Sequence, residues 1–261
     1  MRRSRNGGYR PESRRILFGA DEPIFAALPE RVLANLRHPA SENALLWNLL
    51  YPLAQPDLKL SDFLKLRPLW GTSALTEVDD DGMTPYFWGY SVAGERLSLL
   101  DEILRDVDGV GQKTEVDVFL VGRRNLVLVE AKHMSGLGHC SRYGRQRCPE
   151  IHTSDSDPGD GCRYHKEGKA NFQVHMSFDL PTAPKSHSPP CNRHYQLGRT
   201  LLVGNALAEH LERILHLWLI IPRSRWRSFE TDWLDFIDRV RDDKLWRRMR
   251  VLTWEDIQQI S

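Results

Sequence analysis

Two short apolar segments, residues 115–121 (Glu-Val-Asp-Val-Phe-Leu-Val) and 125–131 (Asn-Leu-Val-Leu-Val-Glu-Ala), stand almost back to back in the chain. Both are rich in β-branched residues, and the polar Gly122-Arg123-Arg124-Asn125 separates them. That pattern predicts a β-hairpin. Each segment is apolar at odd and at even positions, so neither face can lie against water, and the hairpin belongs inside a sheet covered on both sides. A turn centred on Arg123 and Arg124 makes Val121 face Leu126, Phe119 face Leu128 and Asp117 face Glu130. Facing Cβ atoms lie roughly 4.5–5.5 Å apart. Lys132, two residues beyond Glu130, points to the same side.

Around the hairpin the pattern is mostly helical. Residues 41–50 carry apolar side chains at three- and four-residue spacing behind Ser41, a good N-cap. Helices are also predicted over 60–67, 92–107, 195–210, 229–241 and 254–260. Strands are predicted over 215–221 and 250–253. The resulting order describes an α/β domain, a mixed central sheet flanked by helices. It divides into an arm over residues 1–15, a domain over 16–261, and a cysteine-rich insertion over 133–193 inside that domain. The insertion is poor in apolar residues and rich in Gly, Pro, Ser, His and Arg. So long a stretch without structure of its own would be unusual.

With 261 residues, 41% hydrophobic and 27% charged, the composition is that of a globular protein. The net charge of +1 neither favours nor excludes nucleic acid. Locally, Arg2, Arg3, Arg5, Arg10, Arg14 and Arg15 make the arm basic, and Arg223, Arg225 and Arg227 form a second basic stretch. Either could meet phosphates, or be a solvated surface. No apolar run approaches the roughly 20 residues of a membrane-spanning helix. Met1-Arg2-Arg3-Ser4-Arg5 runs on without the apolar block of a secretory leader. These features predict a cytoplasmic protein.

Two facing carboxylates in an apolar sheet repel each other and lose hydration. A divalent cation offsets both penalties, and Mg²⁺ or Mn²⁺ suits a site of carboxylates, water and phosphate oxygens. Lys132 would then orient the attacking water or offset charge on the phosphate. Asp117 followed by Glu130-Ala131-Lys132 resembles the motif of the PD-(D/E)xK nucleases, with Val116 where the proline often stands. The resemblance implies a restriction-endonuclease-like fold and metal-dependent hydrolysis of phosphodiester bonds in DNA, in a restriction or defence role. It makes Asp117 and Glu130 metal ligands and Lys132 catalytic. Glu42 matches the acid that a preceding helix often supplies, and Gln196 the glutamine that a later helix supplies in RecB-like members, although the tyrosine four residues on is missing. Arg199, on the same face of that helix, is a candidate phosphate contact, and Glu115 a substitute ligand. The cysteine-bearing insertion further resembles a group of bacterial restriction endonucleases. The competing readings are a strand-end salt bridge, a non-catalytic nucleic-acid-binding or scaffolding protein that keeps the fold, and a metal-binding regulator.

Cys140, Cys148, Cys162 and Cys191 all fall in the insertion, spaced C-x7-C-x13-C-x28-C. In a cytosolic protein four such residues argue for metal over disulfides. A structural Zn²⁺ is the first expectation, with the four sulfurs on one tetrahedron. A [4Fe–4S] cluster is one alternative, and unligated or redox thiols are another. His139, His165 or His194 could replace one ligand.

Overall fold

The computed structural model describes residues 16–38, 41–55, 60–72, 82–152, 161–166, 168, 170–180 and 188–261. The basic arm lies outside them. Five strands, β1 (Thr84–Phe87), β2 (Val118–Val121), β3 (Asn125–Ala131), β4 (Ile214–Ile221) and β5 (Met249–Thr253), form one sheet in sequential order. β1, β2 and β3 pair antiparallel, whereas β4 and β5 continue in parallel, so the sheet is mixed. The helices are α1 (Ile24–Ala27), α2 (Glu30–Arg37), α3 (Glu42–Leu50), α4 (Leu60–Lys65), α5 (Leu100–Asp108), α6 (Ser141–Gly144), α7 (Phe172–His175), α8 (Pro190–Arg193), α9 (Tyr195–Leu211), α10 (Trp226–Asp238), α11 (Asp243–Trp246) and α12 (Trp254–Gln258). Among the described residues no helix is long and apolar enough to cross a membrane.

The hairpin pairs Val121 with Leu126 and Phe119 with Leu128, the register its turn dictates. β3 is the middle strand and is buried along its whole length. Alternate residues go to opposite sides. Phe119, Leu126 and Leu128 join Leu217 and Leu219 in a core beneath α5, α9 and α10. Val118, Leu120, Val127 and Val129 join Trp218 and Ile220 in a second core beneath α1 to α4 and α12. Burying each such side chain contributes roughly 1.5–3 kcal/mol. Gly204 lets α9 press onto the sheet, because a Cβ there would stand 2.9 Å from Leu128 Cδ2.

Three readings change. The helix expected from residue 92 begins only at Leu100, preceded by turns at Trp88-Gly89 and around Gly94. The edge strand β1 and the helices α1 and α2 lacked a long enough periodic run to be read. The insertion, although poor in apolar residues, supplies Tyr164, Phe172, Met176 and Phe178 to the α9-side core. A few aromatic side chains in a polar stretch are enough to tie it down, since Phe172 stacks on Tyr164 with ring centroids 5.0 Å apart.

Candidate active site at the open end of the hairpin

Parity along β2 and β3 decides which side the polar residues take. Asp117 continues the Phe119 face, and Glu130 and Lys132 continue the Leu126–Leu128 face, so all three project beneath the start of α9. They line one cleft of about 380 Å³ together with Glu42, Glu115, Gln196 and Arg199. Asp117 stands one residue outside the paired part of β2. Its Oδ2 accepts the Ala131 N–H at 2.8 Å, which carries the hairpin pairing on through a side chain.

Lys132 Nζ lies 2.7 Å from Glu130 Oε1, with both side chains buried. Its backbone is held at both ends. The Lys132 N–H donates to the Ile220 carbonyl at 2.8 Å, and Trp254 Nε1 donates to the Lys132 carbonyl at 2.9 Å. Gln196, in the first turn of α9, donates from Nε2 to Glu130 Oε1, while its Oε1 accepts the Gly138 N–H at 2.9 Å. Glu130 Oε2 is buried and has no hydrogen-bond partner among the described residues.

Burial, and then the Glu130 charge, push the Asp117 carboxyl well above the usual carboxylate range, against the pull of Lys132. Burial would lower the Lys132 pKa, but Glu130 and Asp117 outweigh it and hold the ammonium above its ordinary value. Glu115 is raised by burial, which its ion pair with Arg31 at 2.7 Å only partly counters.

Glu42 enters from the other face of the sheet, at the first turn of α3. Its Oε1 accepts the consecutive N–H groups of His133, Met134 and Ser135 at 2.7, 2.8 and 2.8 Å, and Ser135 Oγ lies 2.9 Å from both carboxylate oxygens. Burial raises its pKa, yet these hydrogen bonds prevail and the carboxyl is lowered. Arg225 grips the same loop from its carbonyl side, reaching the His133 and Ser135 oxygens at 2.8 Å. Arg225 belongs to the basic stretch that could meet phosphates or be a solvated surface, and Arg223 in the same stretch pairs with Asp256 at 2.6 Å. Both guanidinium groups have partners within the fold. Neither Arg225 nor Trp254 was legible as a site residue, because their targets are backbone carbonyls. Arg199 is buried in the cleft wall, 3.0 Å from Asp108 and 2.9 Å from the Gln112 carbonyl.

Among the described residues no three His, Cys, Asp or Glu side chains are gathered so as to hold a metal ion. Of the four carboxylates that line the cleft, Asp117 and Glu130 are the two brought together at the open end of the hairpin. A hard divalent cation fits that pair: such ions take one or two carboxylates and fill their remaining positions with water and phosphate oxygens. Glu130 Oε2 is an unsatisfied oxygen of the kind such an ion would use.

The four cysteines lie near enough to influence one another's thiols, but among the described residues no three of them are gathered to hold a metal, against the expected tetrahedron of sulfurs. The Cys140 N–H donates to Asn192, the residue after Cys191, at 3.0 Å. The Cys162 N–H donates to Glu150, two residues past Cys148, at 2.5 Å. Burial pushes the Cys191 thiol up to about 12, and Cys162, Cys148 and Cys140 add to the shift. His194 is turned elsewhere, with Nε2 2.6 Å from Asp235.

The family described as Restriction Endonuclease associating with ARP matches residues 30–260. The chain belongs to that family. The match runs from the start of α2 past the end of α12, so the family's extent includes the hairpin, the insertion and every residue of the cleft named above. No curated protein and no solved structure matches the chain.

Proposed function

We propose that the chain is a metal-dependent nuclease of the PD-(D/E)xK type that hydrolyses phosphodiester bonds in DNA and serves restriction or defence. The observation that carries this reading is the half-buried Asp117 beside the buried Glu130 and Lys132 at the open end of the hairpin, with one Glu130 oxygen unpartnered among the described residues. Membership of a restriction endonuclease family supports it, and association with ARP comes to this chain as part of the same proposal.

Asp117 and Glu130 would hold Mg²⁺ or Mn²⁺. The metal would lower the pKa of bound water and take up charge on the scissile phosphate. Lys132, kept protonated by its two carboxylate neighbours, supplies a fixed positive charge for the water or for a phosphate oxygen. Gln196 fixes Glu130 in place. Glu42 anchors the loop that follows Lys132. Arg199, with its guanidinium on Asp108, offers a positive potential in the cleft wall toward the backbone of the strand.

Supercoiled plasmid is the test substrate. Nicked or linear product with Mg²⁺ or Mn²⁺, lost on chelation and in Lys132→Ala, is the expected result. Binding without cleavage in either metal would favour the scaffolding alternative.

We also carry a structural Zn²⁺ at Cys140, Cys148, Cys162 and Cys191 as a proposal, supported by the hydrogen bonds that draw the cysteine segments together. About one zinc per purified chain is expected. Iron with acid-labile sulfide would replace zinc by a cluster, and neither metal would leave free thiols.

A further inference from the structure

A second cavity, of about 540 Å³, adjoins the active-site cleft, and residues 112–115 line both. Its floor reaches the α9-side core at Leu104 and Phe119. Its walls are charged. Arg31, Arg96, Arg105 and Lys113 stand there against Asp101 and Glu115. Two of these cations are matched, for Arg31 pairs with Glu115 at 2.7 Å and Arg96 with Asp101 at 2.6 Å. Arg105 and Lys113 remain as an excess of positive charge beside the active-site cleft.

The end of α5 lets this excess face outward. A helix C-terminus carries a partial negative charge that repels anions. Here two cations cover it. Lys113 Nζ donates to the Leu104 and Gly109 carbonyls, and Arg163 of the insertion donates to the Val107 carbonyl at 2.8 Å and to the Asp106 carbonyl. The acids of the helix are turned aside or matched. Glu102 and Asp106, four residues apart, share a face outside the cavity, whereas Asp101, Leu104 and Arg105 line it. Asp108 is buried on Arg199. Arg105 itself is exposed, and among the described residues its guanidinium has no acidic partner. An unpaired guanidinium on a neutralised helix end is placed to receive an anion.

We propose that the strand cut in the cleft continues across the wall of residues 112–115, and that its phosphates on that side meet Arg105 at the mouth of the second cavity. Arg31 and Lys113 add to the positive field there. Phosphate is the chemistry this surface favours, because a guanidinium takes phosphate oxygens in pairs. The apolar floor keeps a charged backbone at the mouth and out of the core. The shared wall joins the surface to the cleft, so one strand can engage both. The contact is to backbone, so it adds affinity and fixes register without adding sequence preference. The inference rests on the nuclease reading and adds to it the direction in which the substrate leaves the site.

The test measures binding of short duplexes to the full-length protein under chelation over a range of salt, after the cut position has been mapped with Mg²⁺. Arg105→Gln removes the charge and keeps a good helix former, and Arg105→Glu reverses the charge. Lys244→Glu is the control: that lysine is exposed on α11, lines neither the cleft nor the second cavity, and gives the same change in net charge as Arg105→Glu. Arg105→Gln should lower the slope of log affinity against log salt by about one phosphate contact. Arg105→Glu should weaken binding on the order of tenfold, alike on all sequences. Lys244→Glu should leave the slope unchanged. Shortening the duplex on one side of the cut should cost the wild type affinity and Arg105→Gln much less, while shortening the other side should cost both alike. Wild-type binding by Arg105→Glu, or equal losses in Arg105→Glu and Lys244→Glu, overturns the track and leaves the nuclease reading standing where plasmid is still cut. Losses that do not depend on which side is shortened overturn it too. A chain that neither binds nor cuts DNA overturns both.

Discussion

Lys132 and Glu130, the pair proposed to act at the phosphodiester, also form an ion pair of the fold. Both side chains are buried and 2.7 Å apart, so removing the ammonium leaves a carboxylate without its counter-charge. Lys132→Ala is therefore expected to lose cleavage by roughly 10²-fold or more. It should also melt several degrees lower without metal, part of which Mg²⁺ restores. Equal melting temperatures with and without the lysine would show that the pair contributes nothing to the fold. Asp117 behaves in the opposite sense. Its carboxyl is raised by burial and by Glu130, so ionising it costs the folded state. That penalty is absent at acid pH and grows as pH rises from the unfolded carboxylate value through the raised folded one. Asp117→Asn should consequently abolish metal-dependent cleavage yet raise the metal-free melting temperature, with a gap over wild type that widens from pH 4 to 8. A gap that narrows over that range would contradict the raised carboxyl.

At the scale of elements, two polar ties hold the site's frame. The loop after β3 is clamped between Glu42 on α3, which takes three backbone N–H groups, and Arg225 ahead of α10, which takes two carbonyls. Glu42→Gln keeps an acceptor oxygen and should retain most cleavage. Glu42→Ala orphans the donors at about 1–3 kcal/mol and should lose far more; equal losses in thermal-melt and plasmid assays would point to a charge-dependent role. The second tie is Asp235 on α10, which meets His194 at 2.6 Å and Arg239 at 3.0 Å and so pins the start of α9. Its carboxyl is lowered to about 2: burial raises it, and the hydrogen bonds of Arg239 and His194 more than reverse that. A depressed carboxyl contributes stability above its unfolded value and loses it as pH falls toward the folded one. Asp235→Asn should destabilise by roughly 1–2 kcal/mol at pH 7, with the difference shrinking between about pH 4 and about pH 2. A denaturant-melt difference that stays constant across that interval would refute the tie. The hairpin's register was legible in sequence because a tight turn and full burial leave one pairing. The two ties were not, since each joins residues far apart in the chain through backbone atoms that every residue carries.

For the whole molecule, a covered mixed sheet places the site where β3 leaves the core between the two helical layers. Cation binding to the folded form alone should raise stability by mass action. Millimolar Mg²⁺ is expected to shift the wild-type melting temperature upward by a few degrees and that of Asp117→Asn by much less. An equal shift in both would place the cation elsewhere.

The amino-acid sequence alone determined the hairpin, its register and the common side taken by Asp117, Glu130 and Lys132, because strand alternation and turn geometry are local and leave little freedom. Tertiary structure decided what those side chains touch. It set Gln196 on Glu130, diverted Glu42 to a loop, turned Arg199 to Asp108 and Arg225 to carbonyls, and packed the insertion's aromatic residues under α9. It also set Trp88 at a positive φ with its indole N–H buried and without a partner among the described residues, neither of which its residue type shows. Such partners are chosen by the approach of distant elements, and no pattern along the chain encodes that approach.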